Sequence, residues 1–373
     1  MKPETKAIHI PEGRDQGDIA SPIRLTTTFE HGADASELTH DYLYVRHANP
    51  NVEQLEKRLA ALEGAIGARA FASGMAAGIA VLNLLPPGST VVFHQSVYFD
   101  FLTFGRTRAR DWGLDIVVID CRDENALDAA LSRGVALVWL ETPANPTMDL
   151  IDIAAVSRKA AAAGAKVMVD GTFATPALQQ PLALGADYVL HSLTKYIGGH
   201  SDVLGGAIAV RDDPAMLEQL HTIRKLTGGV LAPFNAWLIS RGLQTLHCRM
   251  EKHCSNGFAV AEALEAHPNV ERVRYPFLDS SPNVTLARAQ MTGGGGMLSF
   301  EVKGGRDAAL AVVERLQLIT SATSLGGTET LIEHRKSVEG PESLTPDSLL
   351  RLSVGLEHAD DLIDDLRNAL DSL

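Results

Sequence analysis

The chain has 373 residues with a formal net charge of −13, of which 45% are hydrophobic and 21% charged. That is the balance of a globular protein too long for one compact core, with no apolar run long enough to span a bilayer. An acidic chain without clustered Lys and Arg speaks against nucleic acid as a partner, and three cysteines, Cys121, Cys248 and Cys254, give no C-x-x-C pair or disulfide framework.

MKPETKAIHIPEGRDQGDIASP mixes charges and prolines where a secretory leader needs an uninterrupted apolar stretch, so a cytoplasmic protein is expected. Residues 1 to about 50 show no strong periodicity and read as an arm that reaches a neighbouring subunit. Val52, Leu55, Leu59 and Leu62 then recur at helical spacing up to Gly64, which predicts a surface helix with one buried stripe. FASGMAAGIAVLNLL reads as a small-residue turn entering a buried helix, and PPG breaks the chain before the strand STVVF. Further strands are expected at DIVVID, VALVWLE, KVMVD and DYVLH, separated by helical stretches such as IAAVSRKAAAAG. Alternation of this kind predicts an α/β fold with a mainly parallel sheet covered on both faces.

Beyond about residue 225 a long helical stretch, PFNAWLISRGLQTLHCRMEKHCSNGFAVAEALEAH, precedes strand-like VERVRYP and MLSFEV and a terminal helix, ADDLIDDLRNAL. The division read from this is an arm at 1–50, a ligand-binding sheet domain at 51–225 and a smaller α/β domain at 226–373. The glycine run 293–296 reads as a flexible loop, and the cysteines read mostly as packing residues.

Open parallel sheets bind ligands beyond the carboxyl ends of their strands, where this sequence places Glu141, Asp170 and the run His191 to Lys195. Lys195 follows two hydroxyl residues and precedes Gly198 and Gly199, a setting suited to a lysine that sheds its proton and forms an imine with pyridoxal 5'-phosphate. Asp170 is the acid to pair with a pyridinium nitrogen. The turn Ala72, Ser73, Gly74, Met75 at a helix start suits a phosphate, Tyr98 can stack on a flat ring, and Arg351 can clamp a substrate carboxylate. Each signal alone has a plain structural reading, as an exposed lysine, a cap, tight packing or a surface ion pair; the weight lies in their concurrence. A zinc site on His191, His200 and Asp202 is the competing reading of the same segment, but the spacing matches no compact metal motif and no metal is expected.

With these residues in place the chain resembles the pyridoxal-phosphate enzymes of Cys and Met metabolism, the cystathionine γ-synthase, cystathionine γ-lyase and methionine γ-lyase group, over nearly its whole length. The resemblance rests on YVRHANPN (44–51), SGMAA (73–77), ETPANPT (141–147), VDGTFATP (169–176), HSLTKYIGGHSD (191–202), RGLQTL (241–246), SLGGTETL (324–331) and RLSVGLE (351–357), in the family's order. It implies the aspartate-aminotransferase-like fold, the imine at Lys195, Asp170 at the ring nitrogen and Tyr98 stacked on the ring. It also implies Gly74, Met75, Ser192 and Thr194 at the phosphate, and Tyr44 with Arg46 reaching the phosphate of a neighbouring subunit in a homotetramer of site-sharing dimers. Ser324 and Arg351 are implied to hold the substrate carboxylate, with Asn145 supporting the ring or that carboxylate.

The activity implied is cleavage of the carbon–sulfur bond of a small sulfur amino acid by β- or γ-elimination, to a 2-oxo acid and ammonia. The alternative is γ-replacement on a homoserine ester. The sequence departs from the family pattern at Gly171, where Asn is common, at Phe99 and Asp100, where small residues are usual, and at Thr323, where cystathionine-handling members often carry Glu. Thr323 tilts the expectation toward lyase; Leu325 speaks for the γ-type groups. If Gly171 and Phe99 spoiled access, the chain would instead be a low-turnover carrier or regulatory protein.

Overall fold

Short apolar runs bounded by Gly, Pro and Ser build the larger sheet of the computed structural model, which describes residues 1–9, 17–34, 41–340, 343 and 345–373. Its strands are β1 Gly67–Phe71, β2 Thr90–His94, β3 Asp115–Ile119, β4 Val135–Glu141, β5 Lys166–Asp170, β6 Tyr188–Ser192 and β7 Gly206–Val210. They lie in the order β1-β7-β6-β5-β4-β2-β3. Strands β2 to β6 run parallel to one another, while β7 runs antiparallel to both β6 and β1. Alternate side chains enter opposite layers, as the two-residue period of a strand requires: Val91 and Phe93 join the cluster with Trp139, and Val92 joins the one with Val138 and Leu140.

Two of these strands escape a reading of the sequence. β1 (GARAF) and β7 (GAIAV) are rich in Gly and Ala rather than β-branched residues. Their smallness has a packing cause: a Cβ on Gly206 would run into the carbonyl of Ser73, so the strand is thin where the turn before the next helix rests on it.

The helix Pro50–Glu63 starts on Asn49, whose side chain accepts from the Asn51 amide at 2.9 Å, and stops at Gly64 in the left-handed region. It buries the expected Val52, Leu55, Leu59 and Leu62, but Glu56, Arg58 and Glu63 are buried as well. It is therefore an interior helix rather than a surface one with a single stripe, and its polar residues are paired. Glu56 accepts from Arg224 Nη1 at 2.6 Å and from the Ala70 amide at 2.8 Å, and Arg58 donates to Ala7 O at 2.8 Å. Chain from the N-terminal region lies against this body: Asn51 Nδ2 donates to Pro22 O, Asn49 Nδ2 to Arg24 O and Trp237 Nε1 to Ser21 O. The remainder of that region, 10–16 and 35–40, lies outside the described residues.

The smaller sheet is β8 Val270–Arg274, β9 Met297–Val302, β10 Thr320–Ser321, β11 Leu331–His334 and β12 Leu349–Ser353, in the order β10-β11-β12-β9-β8. It is antiparallel except at β10–β11. The helices Leu246–Glu265, Gly305–Arg315 and Ala359–Asp371 cover it, with Val260, Phe300, Val312 and Leu366 in the shared core. The long helical stretch is two helices, Pro233–Leu243 and Leu246–Glu265. The core layer under the larger sheet continues through Ala236, Ile239, Leu243, Leu246 and Met250, well past residue 225.

The glycine run is not a free loop. Gly294 and Gly295 are buried, a Cβ on Gly294 would stand 2.5 Å from Tyr275 Oη, and Gly295 N donates to Cys254 Sγ at 3.3 Å. Glycine is used there because backbone passes directly against side chains. Cys121 is buried and Cys254 half-buried, whereas Cys248 is exposed. Among the described residues no helix is long and apolar enough to cross a membrane.

Candidate active site

Parallel strands β4, β5 and β6 end together on Glu141, Asp170 and Ser192, with Glu141 in register with Asp170 and Asp170 with Leu190. A cavity of about 330 Å³ opens beyond these ends, and its far wall comes from Thr323, Ser324, Leu325 and from Arg351 on β12. The two sheets thus face each other across it, at the place where open α/β sheets bind ligands. Lys195, Asp170 and Tyr98 line this cavity. So do Gly74, Met75, Ser192, Thr194 and, after β4, Asn145, and, on the other wall, Arg351 and Ser324. Tyr44 and Arg46 do not. They lie exposed on the surface, the guanidinium 5.5 Å from the Tyr44 ring centroid and Arg46 Nη1 donating to Lys225 O at 3.1 Å.

Lys195 follows β6 in a tight turn, where Gly198 N donates to Leu193 O at 2.9 Å and Gly199 N to Lys195 O at 2.8 Å. Its Nζ donates to Ser324 Oγ at 2.8 Å. Burial, and then the Arg351 charge, lower the amine to about 8, so an appreciable neutral fraction exists near neutral pH. Asp170 is buried, and burial raises its carboxyl above the ordinary range; against this, Thr172 N donates to Oδ1 at 3.0 Å and His191 lies nearby. His191 is locked by its own buried partner, with Nε2 on Glu63 Oε1.

At the other end of the cavity the helix Gly74–Asn83 begins with Ser73, whose Oγ accepts from Ala76 N at 3.1 Å. The amides of its first turn are those a helix leaves without acceptors. A Cβ on Gly74 would lie 3.1 Å from Ser192 Cβ, so glycine keeps this corner open. Thr194 Oγ1 ties the opposite side by accepting from Gly205 N at 3.1 Å. Tyr98 N donates to Glu141 Oε2 at 2.7 Å, which fixes the ring at the cavity wall, and burial pushes its phenol up to about 12. Arg351 Nη2 donates to Ser324 O at 2.9 Å and Nη1 to Asn145 Oδ1 at 3.3 Å.

These residues fit pyridoxal phosphate. The helix start opened by Gly74 offers an anion cradle, and the Asp170 carboxyl, raised by burial, is suited to a protonated ring nitrogen. Lys195 provides a partly desolvated amine between them.

Among the lining residues that escape a reading of the sequence are Thr172, whose Oγ1 accepts from Ser192 N at 2.8 Å, Phe173, Glu333 and Arg335. Glu333 and Arg335 carry a recognisable signal, charges inside or beside the otherwise apolar strand β11. Two departures from the family pattern prove not to reshape the wall. A side chain on Gly171 would point at His191, its Cβ 3.0 Å from Cε1, and Phe99 is exposed and is not a lining residue, so neither blocks access. Among the described residues no three His, Cys, Asp or Glu side chains cluster as metal ligands, and His200 Nδ1 sits 2.9 Å from Gly198 O.

The family model described as Cys/Met metabolism PLP-dependent enzyme matches residues 4–371. An L-methionine gamma-lyase of Porphyromonas gingivalis is 43% identical over 96% of this chain and 94% of its own length. A cystathionine gamma-synthase of Mycobacterium leprae is 42% identical over 98% of this chain and 96% of its own. The crystal structure of metB from Corynebacterium glutamicum superposes with a TM-score of 0.96 at 40% identity, covering 100% of this chain and 98% of that one.

Proposed function

The chain belongs to the Cys/Met metabolism PLP-dependent enzyme family, and we propose that within it this protein is a carbon–sulfur lyase that eliminates the thiol of a sulfur amino acid, leaving a 2-oxo acid and ammonia. Its fold is the aspartate-aminotransferase-like α/β type, its cofactor is pyridoxal phosphate, and it is an enzyme of the lyase or γ-synthase kind. The observation that carries the finer reading is the cavity wall around Lys195: amine, Ser324 hydroxyl and Arg351 guanidinium meet there, and the neighbouring Thr323 offers no charge to a distal amine.

Bound pyridoxal phosphate supplies an electron sink for the pair left at Cα when its proton departs. Arg351 takes the substrate α-carboxylate, held at its own angle by Ser324 O and Asn145 Oδ1. Lys195 Nζ, already lowered by burial, then removes the Cα proton and can carry it to the next carbon. Asp170 would face the protonated ring nitrogen, and Tyr98, anchored through Glu141, would cover one face of the ring. Gly74, Met75, Ser192 and Thr194, which line the cavity, would hold the phosphate end.

Tyr44 and Arg46, exposed and remote from their own cavity, suit the phosphate of a second subunit, within a homotetramer of two site-sharing dimers. Large apolar side chains left exposed at Ile19, Leu25, Leu204 and Leu226 favour such burial. The γ-synthase reading rests on the likeness to the Mycobacterium leprae enzyme, nearly equal to that to the methionine γ-lyase.

Incubation with cystathionine, homocysteine, methionine and homoserine esters, with and without cysteine, tests the reading. A 2-oxo acid from a thioether or thiol without added cysteine is expected. Thioether product formed only from an ester plus cysteine would replace it with γ-replacement.

A further inference from the structure

Glu333 on β11 and Arg351 on β12 stand directly opposite in antiparallel register, and Glu333 Oε2 forms an ion pair with Arg351 Nη2 at 2.8 Å. The same oxygen accepts from Arg335 Nη1 at 2.7 Å. One carboxylate oxygen therefore serves two guanidinium groups, while Glu333 Oε1 is buried without a hydrogen-bond partner among the described residues. On its other edge Arg335 donates from Nε and Nη2 to Glu339 Oε1 at 3.1 and 2.7 Å, and Glu339 is fixed in turn by the hydroxyls of Ser343 and Thr345. Glu333, Arg335 and Arg351 all line the cavity, and none of their side chains is more than 7% exposed.

An α-carboxylate that docks on Arg351 meets an anion already there. In a poorly solvated wall two carboxylates cannot share one guanidinium cheaply, and a buried carboxylate that loses its only cation is costly too. Arg335 removes that conflict, because Glu333 has a second cation to stay with. A guanidinium suits the task better than an ammonium: its two edges grip Glu333 and Glu339 at once, so it stays in place while its neighbour changes partners.

We propose that Arg335 is a positioning residue for substrate recognition, retaining Glu333 while Arg351 exchanges that internal carboxylate for the α-carboxylate of the incoming amino acid. The proposal rests on the reading of Arg351 as the carboxylate clamp. Glu333 is the internal placeholder for substrate, and affinity for amino acids, as distinct from amines, depends on how firmly Arg335 holds it.

The holoenzyme is titrated with glycine and with methylamine, which lacks the carboxylate, and binding is read from the absorbance of the cofactor. Arg335→Gln is expected to raise the glycine dissociation constant about tenfold, the scale of one charged hydrogen bond, with that of methylamine unchanged. With the sulfur substrate it raises KM and leaves kcat near wild type. The double variant R335Q/E333Q restores glycine affinity, because the competing anion is gone. E333Q alone binds glycine more tightly than wild type, which keeps the test open should R335Q fold poorly. Unchanged glycine affinity in R335Q, weakening of both ligands alike, no rescue in the double variant or weaker glycine binding by E333Q would each overturn the proposal. R351K separates it from the underlying reading: if R351K leaves glycine affinity intact, Arg351 is not the clamp, whereas weakening by R351K without the R335Q effects sinks the role of Arg335 alone.

Discussion

Lys195 Nζ donates a 2.8 Å hydrogen bond to Ser324 Oγ, joining the end of the large sheet to the wall of the small one. Ser324 sits at φ 81°, in the left-handed region that side chains other than glycine avoid, and its carbonyl also accepts from Arg351 at 2.9 Å. One strained residue therefore aims both the amine and the guanidinium.

Replacing Ser324 separates these contributions. Ser324→Ala keeps the strain and loses the hydroxyl, so kcat/KM should fall by roughly tenfold. Ser324→Gly loses the same hydroxyl but relieves the backbone, and should be more stable than the Ala variant by about 1 kcal/mol. Thermal unfolding of the pair checks this; equal stability would remove strain from the explanation.

Lys195→Ala should abolish the cofactor's imine absorbance and turnover while the far-ultraviolet circular dichroism stays native. In protein stripped of cofactor the same lysine has a stability signature. Its amine is lowered to about 8 by burial and then by Arg351, against roughly 10.4 in an unfolded chain. The unfolded state thus binds the extra proton between those values, and this group's contribution to stability rises as pH climbs from 8 to about 10, by about 3 kcal/mol. Denaturant titrations of the cofactor-free wild type and Lys195→Met across that range should diverge with this sign.

The strands that deliver Glu141, Asp170 and Lys195 were legible because VALVWLE, KVMVD and DYVLH are dense in apolar and β-branched residues that end abruptly in polar ones. β1 and β7 were not, since Gly206 answers to the turn packed on it and three of the five residues in each strand are Gly or Ala. The Glu333–Arg335–Arg351 cluster was hidden for another reason. It depends on the register of β11 against β12, and spacing along the chain does not reveal which residue of one strand faces which of the next. Helix Pro50–Glu63 showed its apolar stripe, but the burial of Glu56 and Glu63 became visible only with their partners Arg224 and His191 in place.

Arg224 and Glu56 are 4% and 8% exposed at their side chains, and Arg224 Nη1 also donates to Ala70 O at 2.7 Å. Arg224→Met removes the nearer cation and leaves the buried Glu56 carboxylate with only the 3.7 Å ion pair to Arg69 on β1. The expected loss is about 3–5 kcal/mol, measured by chemical denaturation of the holoenzyme. Arg108→Met, by contrast, removes an exposed partner of Asp111 and should change stability by less than about 1 kcal/mol. Similar losses at both sites would contradict this account of burial.

Gly206→Ala places a methyl group against the carbonyl of Ser73, the cap of the helix whose first turn lines the cavity where we propose the phosphate binds. Either strand or turn must shift, at a cost of roughly 1–3 kcal/mol. Cofactor affinity should fall together with stability, since the moving part is the cradle itself. Fluorescence titration of the stripped variant with pyridoxal phosphate gives the answer; unchanged affinity would show that the turn is free to adjust.

Sharing of sites between subunits makes a prediction that residues within one subunit cannot imitate. Arg46 is exposed and outside the cavity of its own chain, whereas Lys195 lies within it. If Arg46 serves the neighbour's phosphate, Arg46→Ala and Lys195→Ala each disable a site, but in a mixed dimer one of the two sites combines an intact Lys195 with an intact Arg46. Random mixing makes half of the dimers hybrid, so co-expression of the two variants should restore activity at roughly a quarter of all sites, although each variant alone is impaired. Activity that never exceeds the average of the separate variants would place both residues in the same site, and the arm would lose its part in catalysis.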